Sequence, residues 1–313
     1  MRRFTDGDQV VDLTTAVGAV HLATPVIAAS GTYGYGIEYD GLVDWTLVGG
    51  VSVKGLSLEP SKGHPAPRML ETSAGMLNAI GLQNIGVEAF VREKLPRLRA
   101  IGTRIIVNCW GNTPEEYERV VERLDTVEGI HALEINMSSP NKREWGRPLA
   151  ADPRVAADVV RRIRARTRLP IWAKLTPNVT DIVVIARAVA DAGADAITLI
   201  NTLKGMAVDA RTRKPILANI TGGLSGPAVK PVALYLVYEV CRAVSVPVVG
   251  CGGIWSGSDA LEFLIVGASA VQVGTANLYD PGAPARIAEE LAMAVHDLGE
   301  SSARALIGTL ETH

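Results

Sequence analysis

Two stretches of this chain carry lysine, asparagine and glycine in an order that a purely apolar core would not use. Lys54 to Asn84 opens with K-G-L-S-L-E-P, passes through P-R-M-L-E-T and ends in G-M-L-N-A-I-G-L-Q-N; Leu133 to Asn141 reads L-E-I-N-M-S-S-P-N. Asn78, Asn84, Asn136 and Asn141 stand beside strand-like apolar runs. Their amides offer donors and acceptors that are costly to bury without a polar partner. A bound, polar, planar ligand would satisfy the set, although any single asparagine is explained equally well by strand termination and turn formation.

Bulk composition bounds what such a ligand site can serve. The chain has 313 residues, 48% hydrophobic and 20% charged, which supplies ample core and no case for disorder. That length suits one (β/α)8 unit, so residues 1–313 are expected to form a single domain. A net charge of −2 gives no general attraction to nucleic acid or to an anionic membrane. Cys109, Cys241 and Cys251 lack the C-x-x-C spacing of zinc or iron–sulfur sites, so no metal site and reduced thiols in a cytoplasmic protein are expected. The start, Met1 to Asp6, has no apolar run after its basic pair and does not resemble a secretory signal. The apolar tract from Ile182 to Ile200 is broken by Arg187, Asp191 and Asp195, which argues against a membrane span.

The elements that position these residues follow a repeat. Short β-branched runs occur at Val26–Ala29, Leu47–Val53, Arg104–Cys109, Ala132–Met137, Ile171–Leu175, Ala196–Asn201, Pro247–Cys251 and Ala270–Val273. Between them, Pro114–Leu124, Pro153–Thr167, Asp181–Ala192, Pro227–Val244 and Ser258–Val266 have helical period, with Thr113 and Asp152 as N-caps. Strands alternating with helices predict an α/β protein, and eight of them predict a closed (β/α)8 TIM barrel rather than a doubly wound sheet. No G-x-G-x-x-G follows the first strand. Val10 to Leu22 reads as a hairpin that caps the barrel floor.

In such barrels the chemistry lies at the carboxyl ends of the strands. The residues closing the runs are Ser30 and Gly31, Lys54 and Gly55, Asn108, Asn136, Lys174, Asn201 and Thr202, Gly252 and Gly253, and Gly274 and Thr275. Two lysines and three asparagines therefore converge on one mouth. The small residues after the seventh and eighth strands let backbone amides approach a phosphate, although each glycine pair alone is also an ordinary turn. A phosphate at one end, cations and amides across the mouth, and no metal cluster point to flavin mononucleotide. A cationic Lys174 near the ring favours the reduced, anionic form.

From about Val26 to Leu278 the chain resembles the class 1 dihydroorotate dehydrogenases, and most closely the catalytic subunit of the class 1B enzymes. The motifs that carry the likeness are A-S-G-T-Y-G-Y-G at Ala29 to Gly36, the K-G and G-M-L-N-A-I-G-L-Q-N runs, K-L-T-P-N-V-T-D-I at Lys174 to Ile182, I-N-T-L-K-G-M at Ile200 to Met206, and I-L-A-N-I-T-G-G-L-S-G-P at Ile216 to Pro227. The resemblance implies FMN contacts at Ser30, Lys54, Gly55, Asn108, Asn136, Lys174, Ile200, Gly226, Gly252, Gly253, Gly274 and Thr275. It implies a dihydroorotate site at Lys54, Asn78, Ala79, Ile80, Gly81, Leu82, Asn136, Asn141, Asn201 and Thr202. Ring amides of the substrate would pair with asparagines while Lys54 supplies charge. It also implies an iron–sulfur and FAD electron-transfer subunit and a homodimeric core, since this chain has neither a cysteine cluster nor a dinucleotide fingerprint.

Two positions depart from that pattern. Class 1B enzymes resemble N-I-S-C-P-N where this chain has Asn136-Met137-Ser138-Ser139-Pro140-Asn141, so Ser139 stands where the cysteine base takes the C5 proton. A thiol with a reference pKa of about 8.5 is partly ionised near neutrality. A serine must have its proton drawn off by a polar neighbour or water as it acts. Serine serves as base in class 2 enzymes, so catalysis with Ser139, assisted by Lys54, is expected. The following loop reads Lys142-Arg143-Glu144-Trp145-Gly146 in place of V-K-x-G-G, and the exchange of a glycine for Trp145 is expected to stiffen it or fill part of the pocket. Two other readings keep the barrel: a flavin oxidoreductase of another cyclic amide or enone, and an FMN-binding subunit without turnover.

Overall fold

A computed structural model describes residues 11–137 and 151–312. Eight parallel strands close into a barrel: β1 (Val26–Ala28), β2 (Gly50–Ser52), β3 (Arg104–Cys109), β4 (Ala132–Asn136), β5 (Ile171–Lys174), β6 (Ala196–Leu199), β7 (Val248–Cys251) and β8 (Ala270–Val273). Each is the core of a run expected from sequence. The second is the shortest relative to its run, because Trp45–Leu47 forms a 3-10 turn before it.

Helices cover the outside. After β2 comes α1 (Leu95–Ile101); α2 (Pro114–Asp125), α3 (Pro153–Arg164) and α4 (Ile182–Asp191) follow β3, β4 and β5; α5 (Lys230–Cys241) follows β6; α6 (Gly257–Ile265) follows β7; α7 (Ala283–Asp297) follows β8. Thr113 caps α2 by accepting from the Glu116 amide at 3.2 Å, and Asp152 caps α3 by accepting from the Arg154 amide at 2.9 Å. Both carry proline in the first turn, where no backbone donor is needed. The sequence reading assigned neither α1 nor α7. The first is short and continues a π-helical turn at Phe90–Lys94; the second, although alanine-rich, buries a regular stripe of Ile287, Ala288, Leu291, Ala292 and Val295.

Register sorts the barrel interior into layers. Side chains alternate in and out along each strand, so residues two apart share a face. Ile27, Ile106, Ala132, Trp172, Ala196, Val249 and Ala270 form an apolar layer at the amino ends. The hairpin of Thr15–Val17 and Val20–Leu22 closes this floor with Val17, Val20 and Leu22, as its position in the sequence predicted.

A four-stranded antiparallel sheet stands outside the barrel, in the order Leu203–Met206, Thr221–Ser225, Gly75–Asn78, Met69–Thr72. It joins the excursion after β2 to the one after β6. Sequence reading assigned no strands here. The run T-G-G-L-S has almost no side-chain period, and its pairing with Gly75–Asn78 links segments far apart in the chain. Gly223 is required: a Cβ there would sit 2.0 Å from Thr202 Oγ1.

Trp172 is the largest fully buried side chain, and its indole N–H has no hydrogen-bond partner among the described residues. Its burial therefore stabilises through packing alone. Trp172→Ala is expected to lose about 3–5 kcal/mol, the range for emptying a large aromatic from a core. Trp172→Phe, which removes no satisfied polar group, is expected to lose much less. Urea unfolding midpoints at unchanged slope check the difference.

Candidate active site

A cavity of about 280 Å3 opens at the carboxyl ends of the barrel strands, under the antiparallel sheet. The strand-end residues Ser30, Lys54, Gly55, Asn108, Asn136, Lys174, Ile200, Asn201 and Thr202 all line it, as do Gly226, Gly252, Gly253, Gly274 and Thr275. So does the whole run from Asn78 to Leu82. The tertiary fold thus brings both residue sets onto one wall. Ser139 and Asn141 lie outside the described residues.

Lys54 enters from the end of β2, where its backbone amide donates to Gly34 O at 2.8 Å. Its ammonium has no hydrogen-bond or ion-pair partner among the described residues. Burial, reinforced by the positive charge of Arg68, holds its pKa below the ordinary lysine range. A half-buried cation in this state gains from any anionic group that enters the cavity. Ser30 is committed differently, its hydroxyl donating to Val53 O at 2.8 Å.

The Asn78–Leu82 run is held in a shape that ordinary residues avoid. Leu82 adopts a left-handed φ of 58°, and Gly81 has φ 76° with the His64 ring where a Cβ would be. Asn84 corrects an expectation. Its amide does not wait for a ligand: it is buried, donates to Ser57 Oγ and Leu82 O at 2.9 Å each, and accepts from the Gly86 amide at 2.8 Å. It clasps the loop that presents Asn78 and is structural.

Below the strand ends lies a polar layer that strand-end reasoning missed. Glu134, fully buried in the middle of β4, accepts from Ser52 Oγ at 2.8 Å and Asn108 Nδ2 at 2.7 Å through one oxygen. Its other oxygen accepts from Thr198 Oγ1 at 3.2 Å and from Gln272 Nε2. Lys174 Nζ lies 3.5 Å from Glu134 and donates to Gln272 Oε1 at 2.9 Å. The signal was available in the pleat. Glu134 precedes Asn136 by two, Ser52 precedes Lys54 by two and Gln272 precedes Gly274 by two, so each shares the inward face of a residue already singled out.

Charge in this layer is set by competition. Burial pushes the Glu134 carboxyl up, but the Lys174 ammonium and the donors Asn108, Gln272 and Ser52 outweigh it and hold the pKa below the usual carboxylate value. Burial likewise opposes the Lys174 ammonium, and Glu134 overcomes it, leaving Lys174 above the ordinary lysine value. At 3.5 Å their attraction is ~5 kcal/mol for an effective dielectric of about 20. Desolvating two ions costs several kcal/mol each, so the pair adds little to stability. It maintains a fixed cation at the base of the cavity, deeper than the rim position expected from sequence. Asn108 is drawn into the same network, with its amide on Glu134 and its oxygen accepting from Asn136 Nδ2 at 3.4 Å.

The glycines after β7 and β8 have two jobs. Gly253 has φ 75°, and a Cβ there would lie 2.7 Å from the Lys230 amide nitrogen, so the start of α5 packs directly on this loop. Gly252, Gly253 and Gly274 also leave this side of the cavity wall without side chains. Thr275 Oγ1 donates to Ser225 Oγ at 2.8 Å and ties the β8 loop to the antiparallel sheet. The wall thus has a glycine-lined side suited to a phosphate, a buried cation at its base and amides with a second lysine across from them. That fits a phosphorylated, planar, redox-active group beside a small anionic amide.

Comparison with known proteins agrees with this geometry. A family model described as dihydroorotate dehydrogenase matches residues 12–295. A protein named dihydroorotate dehydrogenase B (NAD(+)), catalytic subunit, from Geobacter sulfurreducens is 54% identical over 303 residues, covering 97% of this chain and 99% of the relative. Proteins of the same name from Geobacter sp. (strain M21) and Citrifermentans bemidjiense are each 52% identical over 300 residues, covering 96% of this chain and 98% of the relative. Matched along nearly its whole length, with the cavity residues inside the matched span, the chain belongs to the dihydroorotate dehydrogenase family.

Proposed function

We propose that this chain is the FMN-holding catalytic subunit of an enzyme that oxidises (S)-dihydroorotate to orotate in pyrimidine synthesis. The observation that carries the reading is the pairing of two lysines in one amide-rich cavity. Lys174 is buried and charge-compensated at the base, and Lys54 stands without a partner among the described residues. One suits the pyrimidine end of a flavin and the other a substrate carboxylate. FMN, when bound, supplies the hydride acceptor.

The remaining work falls to side chains of this chain. Asn78, Asn136, Asn141, Asn201 and Thr202 pair with the ring N–H and C=O groups and orient C5 and C6 of the substrate. Ser139 takes the proton from C5 as the hydride leaves C6, and the C5–C6 bond becomes double. Gly252, Gly253, Gly274 and Thr275 would hold the FMN phosphate, and Ser30, Gly55, Asn108, Ile200 and Gly226 would line the rest of the cofactor. Electrons then leave through a partner. The relatives' name, catalytic subunit, supports such a partner, and we assign it as an iron–sulfur and FAD protein passing electrons to NAD, around a homodimer of this chain in the cytoplasm. No helix among the described residues is long and apolar enough to cross a membrane. We take the chain to work as one FMN-binding domain.

Anaerobic titration of the yellow holoprotein with dihydroorotate tests the reading. Bleaching of the oxidised flavin by one equivalent per flavin is expected; FMN that is reducible by dithionite but untouched by dihydroorotate would overturn it. Ser139→Ala is expected to keep FMN and slow flavin reduction by roughly 100- to 10,000-fold, the usual worth of a positioned base, in stopped-flow traces. Lys54→Met is expected to weaken orotate binding about tenfold or more, since a charge-assisted hydrogen bond is worth about 1.5–3 kcal/mol. Because Lys54 has a lowered pKa, it loses its proton earlier than a free lysine as pH rises. Orotate affinity should therefore fall at alkaline pH in the parent protein, and Lys54→Met should remove that part of the fall in flavin-perturbation titrations.

A further inference from the structure

We propose that Glu134 is a positioning residue for the redox reaction: it keeps the buried Lys174 ammonium charged and fixed at the base of the cavity, and so holds the flavin's reduction potential independent of Lys174 ionisation. This rests on the reading of the cavity as an FMN site. The geometry carries it. Glu134 is fully buried, 3.5 Å from Lys174 Nζ, and pinned by donors from four other strands: Ser52, Asn108, Thr198 and Gln272. Gln272 fixes the pair from the side, donating to Glu134 and accepting from Lys174 at 2.9 Å.

The other titratable group against Lys174 is Cys251 on β7, a buried thiol pushed up chiefly by burial and therefore neutral near pH 7. Cys109 on β3 is within electrostatic reach of Glu134 and is likewise buried and pushed up. Lys54, on β2, lines the same cavity and has the same sign of charge as Lys174. Thr198 on β6 and Gln272 on β8 carry no charge. Glu134 is thus the counter-charge of Lys174 among the described residues. A planar ring bound over this layer would exclude water, and a lone ammonium there would shed its proton to escape desolvation. A reduced, anionic flavin needs that cation in place.

The isostere Glu134→Gln keeps the volume and removes the charge. The experiment is the midpoint potential of bound FMN followed from pH 6 to 10 in the holoprotein, with Glu134→Gln, Glu134→Asp, Lys174→Met and the Glu134→Gln/Lys174→Met double variant. The parent and Glu134→Asp are expected to show no break in slope from Lys174 across this range. Glu134→Gln is expected to gain a break, with the potential falling above it as Lys174 deprotonates, and the double variant is expected to lose that break. Glu134→Gln that binds FMN and shows no break, or a break that survives Lys174→Met, overturns the proposal. A second measurement needs no change at Glu134: the Lys174 side chain in 13Cε-lysine NMR of the parent holoprotein, assigned by Lys174→Met, should not titrate below pH 10. Titration below that value overturns the proposal as well. A parent protein that binds no FMN would instead overturn the cofactor reading, so the two failures are distinct.

Discussion

A carboxylate and an ammonium inside a closed barrel constrain everything around them. Glu134 and Lys174 cannot be left without partners in that position, because an unpaired buried charge costs several kcal/mol or changes its protonation state. Their satisfaction requires Ser52, Asn108, Thr198 and Gln272 at matching heights on four other strands. That is a demand on register. In β4 and β5, Asn136 lies opposite Lys174, and in β5 and β6, Thr198 lies opposite Lys174. A slip of one residue in any of these strands would turn its polar side chain outward into helix-packing positions.

The rest of the architecture separates this layer from two very different environments. Below it, Trp172 and its apolar neighbours, sealed by the amino-terminal hairpin, keep water from the floor. Above it, the cavity is polar and open. A single barrel thus grades from dry to wet along its axis, and the ion pair sits at the transition. Fixed charges in such a place act on a ligand more strongly than they would in water, since little solvent is present to screen them.

The antiparallel sheet completes the site from outside the barrel. It gathers Asn78 from the excursion after β2 and Ser225 and Gly226 from the excursion after β6, and Thr275 joins it to the loop after β8. Three excursions that are distant in sequence become one lid frame. The matched relatives cover 97% and 96% of this chain and 99% and 98% of their own length, so the matches extend over nearly the whole chain.

Local order in the chain was enough to determine the strand–helix alternation, the caps at Thr113 and Asp152, the floor hairpin and the strand-end residues. Each depends on periodicity or on chemistry within a few residues. The residues at Lys54, Asn78, Asn136 and Lys174 likewise pointed to a flavin and a polar, planar ligand, and the family resemblance implied the amide substrate. Three things were decided only by the tertiary structure. Asn84 was separated from its neighbours as a structural clasp, because its partners Ser57 and Gly86 come from both sides of the loop. The excursion sheet emerged because its glycine-rich strands are stabilised by long-range pairing and not by their own side-chain pattern. Glu134 became the centre of the polar layer because its meaning lies in register across the barrel, which a linear pattern of residues does not contain.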